Sequence, residues 1–306
     1  MKLLRLARHA ARATKDEASP KAFQSLRRLY WRARRSPRSA LQLGSQALRF
    51  SGQALRLSGQ IARQSLWIDW VRSVVGRSRF LYFAALRGRL RTMDSAQAYA
   101  TTVRHNLRGL KDHQTKRMQR LIEPLHAVET LDEDSRILVV GPRTESDLLM
   151  LRALGFRHVR GLDLISYSPW VDLGDMHRMP YADDTWDAVL LAWCLTYSRE
   201  PHVVAREVVR VAKPGALVGV GLEYSTLTPH DVSSLVGYEI NTKDGPPRAN
   251  SVADIRALFE SAVDHVYFDH DGPCRRSHTS AGLVKDVSQV VLLFSIRKSY
   301  QGEAGK

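Results

Sequence analysis

A seven-stranded, mostly parallel α/β sheet with helices on both faces is what the larger, C-terminal part of this sequence predicts, and three observations carry it. Short apolar runs rich in valine, isoleucine and leucine recur through residues 136–296, several of them ending on glycine or aspartate. Continuous apolar runs of that length suit strands buried on both faces. Helix-patterned segments alternate with the earlier runs in the order of βαβ units, which pair their strands in parallel with one hand. The chain has 306 residues and is 44% apolar, enough to bury a core of this size.

The first strand is expected at 137–140 (ILVV), turning at Gly141. Residues 146–154 (SDLLMLRAL) follow with helical periodicity and stop at Gly155. The second strand, 158–162, runs into Asp163. That aspartate lies 22 residues after Gly141, near the spacing at which an acidic side chain meets ribose hydroxyls in dinucleotide-binding βαβ units. Asp175 closes a third short strand or turn, and 187–193 (DAVLLAW) is the fourth strand. A helix over 202–211 is halted by Lys213, Pro214 and Gly215, since proline cannot continue it. The fifth strand is 216–222. Beyond a linker holding Gly245, Pro246 and Pro247, Ser251 is placed to cap a helix over 252–262. The last two strands are 263–268 and 289–296, and helices are expected in the connections among the first five strands.

Charge divides the chain. Residues 1–120 hold 27 Lys and Arg against 5 Asp and Glu, whereas residues 121–306 hold 19 against 26. The expected organisation is a basic helical region over 1–120 followed by an α/β domain over 121–306. Within 39–63, Gln46, Gln53 and Gln60 recur every seven residues, as do Arg49, Arg56 and Arg63, which draws stripes along one helix. Residues 65–91 interleave Trp67, Trp70, Val74, Phe80 and Leu81 with Arg72, Arg77 and Arg79. Such a region suits three partners: the α/β domain itself, as a lid over it; an anionic membrane surface; or nucleic acid. Nucleic acid fits least, because aromatics that stack on RNA usually stand on sheets or loops. No run reaches the ~18 apolar residues of a membrane span. Cys194 and Cys274 offer neither a disulfide framework nor metal-ligand spacing, and the aspartates and histidines of 264–278 lack the paired spacing of a zinc site, so no metal is expected. A reducing cytoplasm, with peripheral attachment to a membrane as an option, is the compartment these features favour.

Two stretches carry a family likeness. Gly174 and Asp175 lead into 179–187 (MPYADDTWD), and Arg206 and Glu207 lead through to Lys213, Pro214 and Gly215. Over roughly residues 130–298 the chain resembles the class I S-adenosylmethionine-dependent methyltransferases of the small-molecule type, whose corresponding stretches read GDaxxLPFxDxSFD and REixRVLKPGG. The resemblance implies a Rossmann-like domain with S-adenosylmethionine as cofactor. It implies that Gly141 brings the backbone close to the cofactor, that Asp163 holds the ribose, that Asp175 holds the adenine amino group, and that Met176 stacks on the adenine ring. The family's first loop, D/E-x-G-x-G-x-G, is degenerate here, since the matching positions are Val139, Gly141, Arg143 and Glu145. With Val139 in place of the acidic residue, Glu145 is expected to contact the methionine ammonium.

The acceptor side is read from the ends of the later strands: Trp193 and Tyr197 after the fourth, Glu223 after the fifth. No catalytic base is assigned, because a general base is needed only where the acceptor is a weak acid. His177 reads as a solvated loop residue. The implied function is methyl transfer from S-adenosylmethionine to a small-molecule or lipid-like acceptor. Two further readings stand beside it: a protein that keeps the fold without the cofactor, which the degenerate loop would explain, and a nucleic-acid methyltransferase anchored by residues 1–120.

Overall fold

The computed structural model describes residues 65–93, 100–110, 112–113, 116–198, 200–225, 251–271, 275–278 and 284–298, all within one compact unit, Arg63–Lys306. The heptad-spaced segment 39–63, the glycine-proline linker at 245–247 and Cys274 lie outside the described residues. In chain order the elements are α1 (Asp69–Phe80), extended by a π-helical turn (Leu81–Leu86), β1 (Arg91–Thr92), α2 (Ala100–Gly109), α3 (Lys116–Ala127), β2 (Arg136–Val140) and α4 (Ser146–Ala153). They continue as β3 (His158–Asp163), β4 (Ile165–Ser166), β5 (Val171–Leu173), β6 (Trp186–Ala192), α5 (Pro201–Val211), β7 (Ala212–Ser225), α6 (Val252–Phe259), β8 (Val263–Asp271), β9 (Arg275–His278) and β10 (Val284–Ile296).

The main sheet has the order β5-β3-β2-β6-β7-β10-β8, with β9 pairing on β10. Neighbours from β5 through β7 run parallel, and β10 runs antiparallel to both β7 and β8. The Rossmann-like, mostly parallel seven-strand sheet is therefore present, and β9 adds a short eighth strand. Alternation along β2 sorts the core into two layers. Ile137 and Val139 pack with Leu121 and Leu125 of α3 and Leu148 and Leu151 of α4. Leu138 and Val140 pack with Val204 and Val208 of α5 and Ile255 and Phe259 of α6.

Local signals act where the sequence puts them. Pro201 opens α5, where its missing N–H costs nothing. The Ser251 hydroxyl accepts from the Asp254 amide at 3.0 Å and caps α6. One expectation fails: no helix lies between β3 and β6. Residues 164–170 are too few for a helical crossover, and their β4 instead pairs with β1. The 174–185 stretch is held as a loop from outside by Arg210 of α5. That guanidinium donates to the carbonyls of Met179 (3.1 Å) and Tyr181 (2.8 Å) and to the Asp183 carboxylate (2.7 Å).

The helices before β2 belong to the same packed unit. Met118, Leu121, Ile122 and Leu125 of α3 are fully buried against the sheet. A third cluster joins Phe80 and Phe83, Val103 of α2 and Leu110 to Ile165 and Tyr167 beside β4. Chain reversal occurs at β2: β3 and β5 lie on one side of it, and β6 and β7 on the other. In open α/β sheets a ligand crevice lies outside the strand ends at such a switch point.

Candidate active site

A cleft of about 1090 Å³, counted out into its open mouth, lies at this point. Val140 and Gly141 at the end of β2, Leu162 and Asp163 at the end of β3, and Ala192 to Cys194 at the end of β6 form its floor. Gly141 has φ 72°, and a Cβ there would fall 2.5 Å from the Cys194 Cβ. Only glycine meets both demands. The Cys194 thiol donates to the Val140 carbonyl at 3.3 Å, and burial pushes its pKa up to about 12, so it is a packing group rather than a nucleophile.

Asp163 lines the cleft and is 4% exposed. Its carboxylate accepts from the Arg143 amide (2.8 Å), the Asn106 amide nitrogen (3.1 Å) and the Ile165 amide (3.3 Å). Burial raises its pKa to about 6, and these hydrogen bonds oppose the rise. Asp175, Met176 and His177 stand on the adjoining wall. Asp175 accepts from the His177 amide at 2.9 Å and meets the His177 Nδ1 at 2.6 Å, while the His177 Nε2 meets the Ser198 hydroxyl at 2.7 Å. His177 is therefore a strut between two cleft walls and not a solvated loop residue. Its ring is held between the Asp175 carboxylate and the Ser198 hydroxyl that follows the 195–197 turn.

Glu145 departs from expectation. It is fully buried and does not line the cleft. Both of its carboxylate oxygens are taken: the Arg79 guanidinium of α1 forks across them, with Nη2 at 2.9 Å from Oε1, and the Ser168 hydroxyl bonds Oε1 as well. The same guanidinium lies 3.7 Å over the Trp170 ring. An opposite charge from a helix far back in the sequence has claimed this carboxylate.

Arg143, where the family pattern has a glycine, holds φ 53°. An L-residue pays about 1–2 kcal/mol for that conformation. Its side chain reaches the Asp112 carboxylate at 3.2 Å and crosses the end of α2 so closely that a Cβ on Gly109 would sit 2.5 Å from it. Asp147 faces the cleft from the first turn of α4. Its carboxylate makes no hydrogen bond or ion pair among the described residues, and desolvation raises its pKa to about 7 against the pull of Arg143 and Arg72. Sequence reading passed it over, although a carboxylate in the first turn of a helix is a favoured arrangement.

On the acceptor side Trp193 and Tyr197 line the cleft. Trp193 has φ 56°, and its ring lies flat against Gly221, where a Cβ would come within 2.6 Å. The Tyr197 hydroxyl is 3.4 Å from the His105 Nε2 of α2. Burial, then Arg143, Arg117 and Arg108, lower the His105 pKa, so the ring is neutral near pH 7. Glu223 is not in the cleft. It pairs with Arg117 at 3.1 Å and accepts from the Gln289 side chain at 2.9 Å, one layer behind the Arg117 that does line the cleft. The α2 residues Thr102, His105 and Asn106 complete the cleft wall, and nothing local to α2 announces them.

The donor set suits an adenosyl ligand. Two strand-end carboxylates, a close-approach glycine and an apolar methionine share one cleft with an acid that has no partner among the described residues. Residues 139–220 match the family model described as a methyltransferase domain. Norajmaline N-methyltransferase of Rauvolfia serpentina is 37% identical over 59 residues, 19% of this chain, and the chain spans only 20% of that relative's length. A SAM-dependent methyltransferase of Methanosarcina mazei is 16% identical, with 55% of this chain and 95% of that one covered at a TM-score of 0.39. One from Thermotoga maritima is 15% identical, covering 65% and 98%, also at 0.39. Residues 139–220, which hold the cleft floor from Val140 to Cys194 on a Rossmann-like sheet, thus match a methyltransferase domain.

Proposed function

We propose that the protein transfers a methyl group from S-adenosylmethionine to a small-molecule or lipid-like acceptor. The observation that carries this reading is the meeting of Gly141, Asp163, Asp175 and Met176 in one cleft at the switch point of the sheet. When bound, the cofactor supplies an electrophilic sulfonium methyl, and the chain's part is to bind, orient and desolvate. Asp163 would accept from the ribose hydroxyls, Asp175 from the adenine amino group, and Met176 would lie on the adenine ring. Asp147 would take the methionine ammonium, because Glu145 is engaged by Arg79 and Ser168 while Asp147 reaches the cleft with no partner among the described residues. His105, neutral and beside Tyr197, is the group placed to take a proton from a weakly acidic acceptor.

Calorimetric titration with S-adenosylmethionine tests the reading, and absence of heat at millimolar ligand would overturn it. Methylthioadenosine, which lacks the amino-acid end, separates the two halves of the site. Asp147→Asn should weaken S-adenosylmethionine roughly tenfold or more, as expected for loss of a charge-assisted bond, and leave methylthioadenosine unchanged. An equal loss for both ligands would remove Asp147 from the ammonium role.

A further inference from the structure

We infer that α1 and its π-helical extension form a docking face for an anionic lipid surface, independently of the methyl-transfer reading. The helix and its extension carry apolar side chains inward and outward: Phe80 and Phe83 pack toward Tyr167, and two arginines turn in beside them. Arg72 points inward and is 1% exposed, its guanidinium donating to the Leu66 and Trp67 carbonyls at 2.8 and 3.1 Å. Arg79 also points inward, to Glu145. At the surface of the same segment Trp70 is 69% exposed, Leu81 58% and Leu86 78%, and Val74 and Tyr82 are exposed with them. A helix packed on a soluble domain normally turns its apolar stripe to the core, and a contiguous exposed apolar patch marks an interaction site.

The charges around this patch select the occupant. Arg77, Arg87, Arg89 and Arg91 are all exposed beside it. Between residues 65 and 93 there is one carboxylate, Asp69, and it is paired with Arg72. A second copy of the chain docking through the same face would bring arginines against arginines, with Asp69 already paired. A negatively charged headgroup layer meets the same surface with complementary charge, accepts Trp and Leu side chains at its acyl boundary, and lets arginine stems lie along apolar surface with their heads in the polar layer. No helix among the described residues is long and apolar enough to cross a membrane, so the contact is with the surface.

Vesicle flotation of the full chain tests this, using phosphatidylcholine with and without phosphatidylglycerol. Flotation with the phosphatidylglycerol vesicles alone is expected. The double variant Trp70→Glu, Leu86→Glu should lower the bound fraction at least roughly tenfold, since two inserted apolar groups are lost, with an unchanged melting temperature because both positions are exposed. A second variant, Arg87→Gln with Arg89→Gln and Arg91→Gln, should weaken flotation and flatten its salt dependence without touching the apolar face. Absence of flotation by the wild type overturns the inference, as does undiminished flotation of both variants. So does a wild-type dimer in sedimentation that the Trp70→Glu, Leu86→Glu protein no longer forms.

Discussion

Two aspartates in the cleft have raised pKa values for the same physical cause and different prospects. Asp163 is raised to about 6 by burial even though three donors already serve it. Asp163→Ala should weaken S-adenosylmethionine by about 1.5–3 kcal/mol if the carboxylate makes charge-assisted bonds to ribose, and equal calorimetric affinities would exclude it from the site. Asp147 is raised further, to about 7, with no hydrogen bond to oppose the desolvation. Its folded-state pKa lies above the unfolded value, so its favourable contribution is complete below about pH 4 and is lost as pH rises through 7. Asp147→Asn should therefore stabilise the ligand-free protein at pH 8 by as much as a few kcal/mol, at about 1.4 kcal/mol per pKa unit, and leave it nearly unchanged at pH 4. Thermal melts at the two pH values check this. The same residue should make S-adenosylmethionine affinity fall as pH drops below 7, because an ammonium partner needs the ionised carboxylate. A residue that destabilises the empty fold and is relieved by a cation is what a binding site produces.

At the scale of elements, the join between α1 and the loop after β2 is electrostatic. Arg79 of α1 holds Glu145, which stands at the start of α4, and stacks on Trp170 after β4, so one side chain ties three elements. Removing one partner of a buried pair leaves an uncompensated charge and typically costs 3–5 kcal/mol. Arg79→Met should destabilise the fold by about that amount in denaturant titration, and by more than the double variant Arg79→Met, Glu145→Gln. Equal losses would mean the pair is not coupled. The Ser251 cap on α6 is a smaller device, and Ser251→Ala should cost about 1 kcal/mol. Strand and helix positions along β2, α4, β3, β6, α5 and β7 were legible in the sequence because their periodicity and punctuation are local. The missing helix between β3 and β6 was not, because Arg210, a residue of a later helix, pins the 174–185 loop.

For the whole molecule, cofactor binding should raise the melting temperature, since a ligand at a hundred times its dissociation constant adds about 2.7 kcal/mol. A thermal-shift titration with S-adenosylmethionine reads this directly, and a flat response would contradict the proposed site. The sequence by itself determined the sheet, its two buried faces, the glycine turn at Gly141 and the strand-end carboxylates Asp163 and Asp175, because each depends on neighbours within a few residues or on one βαβ spacing. Tertiary structure decided which acid faces the cleft. Glu145 and Asp147 are two residues apart and chemically alike. An arginine 66 residues upstream claims the first, while the second has no partner among the described residues, and a contact between side chains so far apart in the chain follows from packing that no local pattern encodes.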